Sequence, residues 1–499
     1  MTPSPTTPEH PSSRAQGALF RDHVDVLIVG AGVSGIGAAA RLTQVHPHRS
    51  FIVLEARAAS GGTWDLFRYP GVRSDSDMFT MGYRFRPWRG DRALADGPSI
   101  LAYLRDTASE YGVEERTRYE HRVTDADWDS AAARWTVTVQ TPDGPVTLTT
   151  CFLWVCSGYY DYDRPFQPEL PGIDRFAGPV IHPQHWPEEL DTTGKRVVVV
   201  GSGATAMTLV PALADAGAGH VTMLQRSPTY VLALPAVDPV ARVLRRWLPE
   251  RTSYWLTRWK NIGVAIASFQ LSQRAPRAAR RFIRNAAAKQ LPEGYPVDVH
   301  FKPTYDPWDQ RLCLVPDGDL FRTIREGSVD VVTDTIDTFT ADGVRVSSGE
   351  LLPADVVVTA TGLNLKIVGD VSLRVDGEDV DLRERMTYRA LMFGGVPNFA
   401  FTIGYTNASW TLKADLVADY VCRLLAHLDE HGHRSAVPVP DPDVAPAPFM
   451  DFTPGYVLRS LHLLPQQGDQ EPWRLRQNYV YDVRSIRRGP VDDGVLRFT

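Results

Sequence analysis

Two glycine-rich turns carry the first chemistry legible in this chain, Gly30-x-Gly32-x-x-Gly35 and, far downstream, Gly201-x-Gly203-x-x-Ala206. Spacing of this kind lets a backbone pass close to a pyrophosphate, and the helix that follows supplies free N–H groups and a positive dipole end. After the first turn, Phe51-Ile-Val-Leu leads to Glu55, placed where a carboxylate bonds the hydroxyls of a ribose. After the second, Val221-Thr-Met-Leu-Gln leads to Arg226, with the Ser227 hydroxyl beside it. A guanidinium there fits a ribose 2′-phosphate, which a carboxylate would repel, so the second turn is read as a site for NADPH in preference to NADH.

Each turn needs a buried strand before it and a helix after it. Val24–Gly30 and Lys195–Val200 have the apolar runs of such strands, and the alanine-rich stretch after Gly35 reads as the first helix. Two further apolar runs end in Ser157-Gly158 and in Ala360-Thr361-Gly362, small residues placed where bulk would collide with a cofactor or a domain crossing. The expected fold class is α/β, with two Rossmann-like dinucleotide-binding domains and a helical insert in the second.

A length of 499 residues with 43% hydrophobic content predicts several domains. The net charge of −6 gives no overall basic field to recommend a nucleic-acid partner. No run of 18 or more apolar residues occurs, and Met1–Ala18 has the Pro, Ser and Thr of a disordered tail without the features of a secretory signal. The expected location is the cytoplasm, and no metal site is expected.

The four cysteines are too few for a disulfide scaffold. Cys151 and Cys156 have the C-x-x-x-x-C spacing of flavin disulfide reductases. They fall on an apparent strand, however, where that separation spans roughly 16 Å and points the side chains to opposite faces. A disulfide needs Cα atoms within about 7 Å, so buried thiols are the preferred reading.

Between the two turns runs Phe176-x-Gly178-x-x-x-His182-x-x-x-Trp186-Pro187, and Gly61-Gly62-Thr63-Trp64 is followed by Arg68-Tyr-Pro-Gly-Val-Arg-Ser-Asp75. These segments resemble the motifs of the type I Baeyer-Villiger flavin monooxygenase family, in which heteroatom-oxidising relatives usually carry Tyr or Phe at the Trp186 position. The resemblance runs from about Asp22 onward. Its longest stretches are similar to members that oxidise thioamide sulfur as well as ketones.

The resemblance implies FAD in the first domain and NADPH in the second, with Trp64 bordering the flavin; Gly62, Thr63, Asp75, Ser157 and Gly158 are also expected to bind cofactor. It also implies a catalytic Arg311 beside Asp75. The family usually has Lys-Arg where this chain has Gln310-Arg311, so a lysine contact to the 2′-phosphate is missing and NADPH would depend more on Arg226. The implied reaction uses NADPH and O₂ to convert a ketone to an ester or lactone through a C4a-peroxyflavin, with sulfur in sulfides or thioamides as a further small-molecule substrate. Phe176, Gly178, His182 and Trp186 are expected at a hinge between the domains. Two rivals stay open: a monooxygenase acting mainly on sulfur or nitrogen, and a non-oxygenating flavin reductase or redox-dependent binding protein.

The expected order is a tail at 1–20, FAD domain at 21–157 and 385–499, NADPH domain at 158–240 and 300–384, and insert at 241–299. The crossings are expected near 158–178 and 383–397. Between 241 and 290 stand twelve Arg or Lys and one Glu, interleaved with aromatic residues. Such a stretch can lie on an anionic membrane surface, but covering the substrate cavity with a solvated outer face is the preferred reading.

Overall fold

A computed structural model describes residues 22–310, 312–450 and 454–499. The expected tail at 1–20 lies outside these, as does Arg311.

The strand His23–Val29 lies between Phe51–Leu54 and Gly144–Val155, parallel to both. Its Val26 and Ile28 enter one core with the helices Val33–Val45 and Trp410–His431, while Leu27 and Val29 enter the core on the other face. Burial on both faces explains why the strand reads as a continuous apolar run. The meander Arg122–Asp129, Arg134–Thr141, Gly144–Val155 extends this sheet antiparallel, and the total is nine strands.

A second, five-stranded parallel sheet holds Arg196–Val200 between His220–Gln225 and Val356–Thr359. Val329–Thr333 and Val180–Ile181 form its edges. The observed architecture is two α/β units, the second inserted in the first.

The crossings differ in part from expectation. The outgoing chain forms the strand Tyr160–Pro165, and the returning chain forms Leu363–Leu365, which pairs with it antiparallel. Ser372–Val375 then pairs with Asp125–Trp128 of the first sheet. The return therefore comes at about 362–371, earlier than the expected 383–397. Residues 372–379 belong to the first sheet, ahead of the expected boundary at 385. Strands this short have no periodicity of their own.

The insert consists of the helices Pro239–Trp247, Glu250–Arg274 and Pro276–Ala288. Asp238 starts the first by accepting the N–H groups of Val240 and Ala241 at 2.9 and 3.0 Å. Pro276, which has no N–H and restricts Ala275, separates the second from the third. Arg258 pins the insert to the first unit. It is 1% exposed and donates to the carbonyls of Phe79 (2.7 Å) and Gly82 (2.8 Å), and it pairs with Asp415 of Trp410–His431 at 3.4 Å. Among the described residues, no helix is long and apolar enough to cross a membrane.

Candidate active site

One cavity of about 1310 Å³ runs between the two units and under the insert. Gly30, Gly32, Glu55, Gly62, Thr63, Trp64, Asp75, Ser157 and Gly158 all line it. Gly35 does not, because it serves packing: a Cβ there would stand 1.8 Å from the carbonyl oxygen of Gly30. Gly30 itself has φ +101°, and a Cβ on it would meet the Cys156 oxygen at 2.7 Å. These contacts let the helix Val33–Val45 start hard against the strand ends. No side chain caps that helix at Gly32. Its first N–H groups are therefore available to a pyrophosphate.

Glu55 is 6% exposed and accepts the N–H of Ala31 at 2.7 Å and of Arg57 at 2.9 Å. Burial pushes its carboxyl above the usual range, against the lowering effect of those N–H donors. Ribose hydroxyls fit beside it, since they can donate to its remaining lone pairs. The open helix start, the glycine cradle and this carboxylate suit an adenine dinucleotide of the FAD type.

The second unit repeats the device. Gly201 has φ +133°, and a Cβ there would meet the Ala360 oxygen at 2.3 Å, as Gly30 would meet Cys156. The helix Ala204–Asp215 starts at Gly203 without a side-chain cap, and its Ala204, Thr205 and Thr208 line the cavity. Gly201, Gly203, Ala206, Arg226 and Ser227 do not line it. Arg226 is exposed just past the end of His220–Gln225, and the Ser227 carbonyl accepts from Ser202 Oγ at 3.1 Å.

Gln184 and four further groups escaped the sequence reading. Tyr162 and Thr63 share a hydroxyl contact of 2.9 Å at the flavin side. Trp410, also in the cavity wall, donates through Nε1 to Ser34 Oγ at 2.8 Å and stacks on Tyr159. Arg459 lies 3.4 Å from the Phe166 ring centre, and burial, with the like charge of Arg226, lowers its pKa. No motif marks it. Arg73 bridges the units through Asp319, next to Asp75 in the chain.

The segment 176–186 does not touch the cavity. Gly178 lies so close to Asp355 that a Cβ would stand 2.4 Å from its oxygen, and Phe176 packs edge-on to Phe339. His182 Nδ1 accepts the Gln184 N–H at 3.2 Å, so the ring proton sits on Nε2, which donates to Gly362 O at 3.2 Å. Burial lowers the His182 pKa, in keeping with a neutral ring. Gln184, 1% exposed, donates from Nε2 to the carbonyls of Asp161 and Tyr162, both at 2.9 Å. His182 and Gln184 thus hold the two chain crossings, one each. Trp186 packs against the core of the second unit.

Cys151 and Cys156 are both free, and Cys156 is buried with its pKa pushed up to about 12 by desolvation. A thiol so reluctant to ionise is a poor redox nucleophile. Arg311 lies outside the described residues, but Trp308 and Leu312 on either side of it line the cavity.

Residues 24–246 match the family described as pyridine nucleotide-disulphide oxidoreductase. The FAD-containing monooxygenase EthA of Mycobacterium tuberculosis is 56% identical over 479 residues, 96% of this chain and 98% of that protein. An oxidised steroid monooxygenase bound to NADP superposes with a TM-score of 0.70 at 25% identity, covering 84% of this chain and 88% of that one. A cyclohexanone monooxygenase from Rhodococcus sp. Phi1 bound to NADP⁺ also gives 0.70, at 21% identity, covering 84% and 87%. At that identity the likeness speaks for the fold.

Proposed function

The chain belongs to the FAD-containing monooxygenases, and from that membership we propose a Baeyer-Villiger enzyme that uses NADPH and O₂ to convert ketones to esters or lactones. Sulfur in sulfides or thioamides is its second substrate class. The observation that carries this reading is the single cavity wall joining the flavin cradle, Asp75, Trp308 and Leu312. The NADP in the steroid enzyme supports the coenzyme.

Bound FAD supplies hydride acceptance, O₂ activation and oxygen transfer. The chain's residues bind and orient. Gly30, Gly32 and the helix start would hold the pyrophosphate, Glu55 the ribose, and Trp64, Ser157 and Gly158 would border the ring. Arg311, which the family resemblance puts beside Asp75, would set a fixed positive charge where a ketone oxygen becomes an alkoxide on attack at its carbon. Product analysis by mass spectrometry, with NADPH, O₂ and a panel of ketones and thioethers, tests the reading. An ester or lactone carrying one oxygen from O₂ is expected. Sulfoxide alone, or NADPH oxidation without oxygenated product, overturns it.

Arg226 reads the 2′-phosphate. Arg226→Ala should raise KM for NADPH by removing charge-assisted hydrogen bonds worth about 1.5–3 kcal/mol, with NADH little changed. Steady-state kinetics with both coenzymes checks this, and equal weakening would remove the assignment.

His182 and Gln184 act on the crossing ribbon and not on the flavin. His182→Ala gives up two hydrogen bonds, each worth about 0.5–1.5 kcal/mol. It should keep FAD, slow turnover and raise uncoupled peroxide release, measured against NADPH consumption. Loss of FAD with normal coupling would contradict the hinge role.

A further inference from the structure

The cavity opens through the helical insert, and its mouth is apolar and faces outward. Val240, Val264, Leu271 and Phe282, from all three insert helices, line the cavity. The same side chains are 43%, 61%, 63% and 65% exposed. Side chains that line a cavity and also face solvent form its rim. The stripe continues past the rim, since Val243 and Trp247 follow Val240 on the same face of Pro239–Trp247 and are 59% and 75% exposed. Single exposed apolar residues are ordinary, but a contiguous set around an opening marks a surface that meets something apolar.

On the three insert helices the unpaired charge has one sign. Arg245, Arg258, Lys260, Arg280 and Arg284 are each paired with an aspartate. Arg242, Arg246, Arg274, Arg277 and Arg281 are exposed and make no ion pair among the described residues. Arg281 adjoins Phe282, and the Arg246 guanidinium lies 5.8 Å from the Trp247 ring. A face that alternates aromatic and aliphatic side chains with arginine suits the headgroup region of a bilayer, where apolar groups sink about 5–10 Å and cations meet phosphates. A second copy of the chain would instead set these unpaired arginines against one another. With a net charge of −6 on the whole chain, the cationic patch also orients the molecule toward an anionic surface.

We propose that the insert docks the enzyme on an anionic lipid bilayer, mouth downward, so that substrate dissolved in lipid enters the cavity without crossing water. The docking stands on the surface alone. Only the nature of the substrate rests on the proposed oxygenation. This departs from the solvated outer face expected from the sequence, because the outward residues include Val243 and Trp247 as well as the charges.

The test uses the FAD-loaded full chain and flotation with vesicles of phosphatidylcholine alone or mixed with phosphatidylglycerol. Binding to the mixed vesicles at low salt, and weaker binding to phosphatidylcholine alone, is expected. Arg242→Gln with Arg246→Gln should weaken it roughly twenty-five-fold, since a surface cation contributes about 1 kcal/mol, or about fivefold. Val243→Ser with Trp247→Ser, neither of which lines the cavity, should reduce flotation while flavin absorbance and turnover of a water-soluble ketone stay unchanged. Absence of flotation at low salt overturns the proposal, as does flotation untouched by the Val243/Trp247 pair. If that pair instead dissociates a dimer in sedimentation without lipid, the face joins copies of the chain and the proposal falls. Failure of wild-type protein to oxidise any ketone would strike the Baeyer-Villiger reading and leave the flotation result standing.

Discussion

Arg311→Ala should abolish ester formation while NADPH still reduces the flavin. The charge that Arg311 would supply matters only once negative charge gathers on oxygen, and hydride transfer creates none there. Removal of one preorganised donor costs about 10²–10³ in rate, and loss of a full charge in a dry site costs more. Arg311→Lys should rescue poorly, because an ammonium lacks the planar fork that pairs with a carboxylate and still presents a donor to the substrate. Rapid-mixing reduction kinetics beside product analysis separates the two half-reactions. Ordinary ketone turnover in a folded, FAD-loaded Arg311→Ala protein would return the lead to oxidation of sulfur or nitrogen.

The largest effect on stability is expected at Arg258→Met. The side chain is almost fully enclosed, and its N–H groups reach the carbonyls of Phe79, Thr80 and Gly82 as well as the Asp415 carboxylate. Methionine fills the stem but leaves Asp415, 7% exposed, without its cation. Breaking one side of a buried pair in this way costs about 3–5 kcal/mol. Asp415→Asn in the same background should return part of that, since it removes the stranded charge. Urea unfolding followed by flavin fluorescence measures both. Equal stability of the single and double variants would mean that the lost carbonyl contacts, and not the charge, set the cost.

Both nucleotide turns were legible because their chemistry is local. The glycines, the strand before them and the acid or base after them fall within one short βαβ stretch, and Gly30 and Gly201 meet their neighbours in the same way. The returning crossing was not legible. Leu363–Leu365 and Ser372–Val375 are strands of three and four residues whose partners lie far back in the chain, and Arg374 finds Asp125 at 2.6 Å across 249 positions. Gln184 escaped because its value lies in the two carbonyls it reaches, and a glutamine in a loop gives no such sign. Arg459 comes from the C-terminal segment to stand near Arg226, a meeting only the tertiary structure produces. The place of Arg311 came from family likeness, and the surrounding residues alone would have left it one cation among many.

The insertion of one unit within the other bears on how the chain is made. The half of Gly144–Val155 nearest the cavity takes Phe399–Phe401 as its partner, and Asn398 Nδ2 bonds the Cys151 carbonyl across 247 positions. During synthesis the N-terminal unit therefore emerges first and finishes last. Until residue 401 has left the ribosome, the backbone of Leu153, Trp154 and Val155 has an open edge, and such an edge invites pairing with the wrong strand. The inserted unit has all five strands of its sheet between 180 and 359, and it can close while its host still waits. Slow, concentration-sensitive refolding of the whole chain follows from this order of assembly, with the flavin cradle the last part to set.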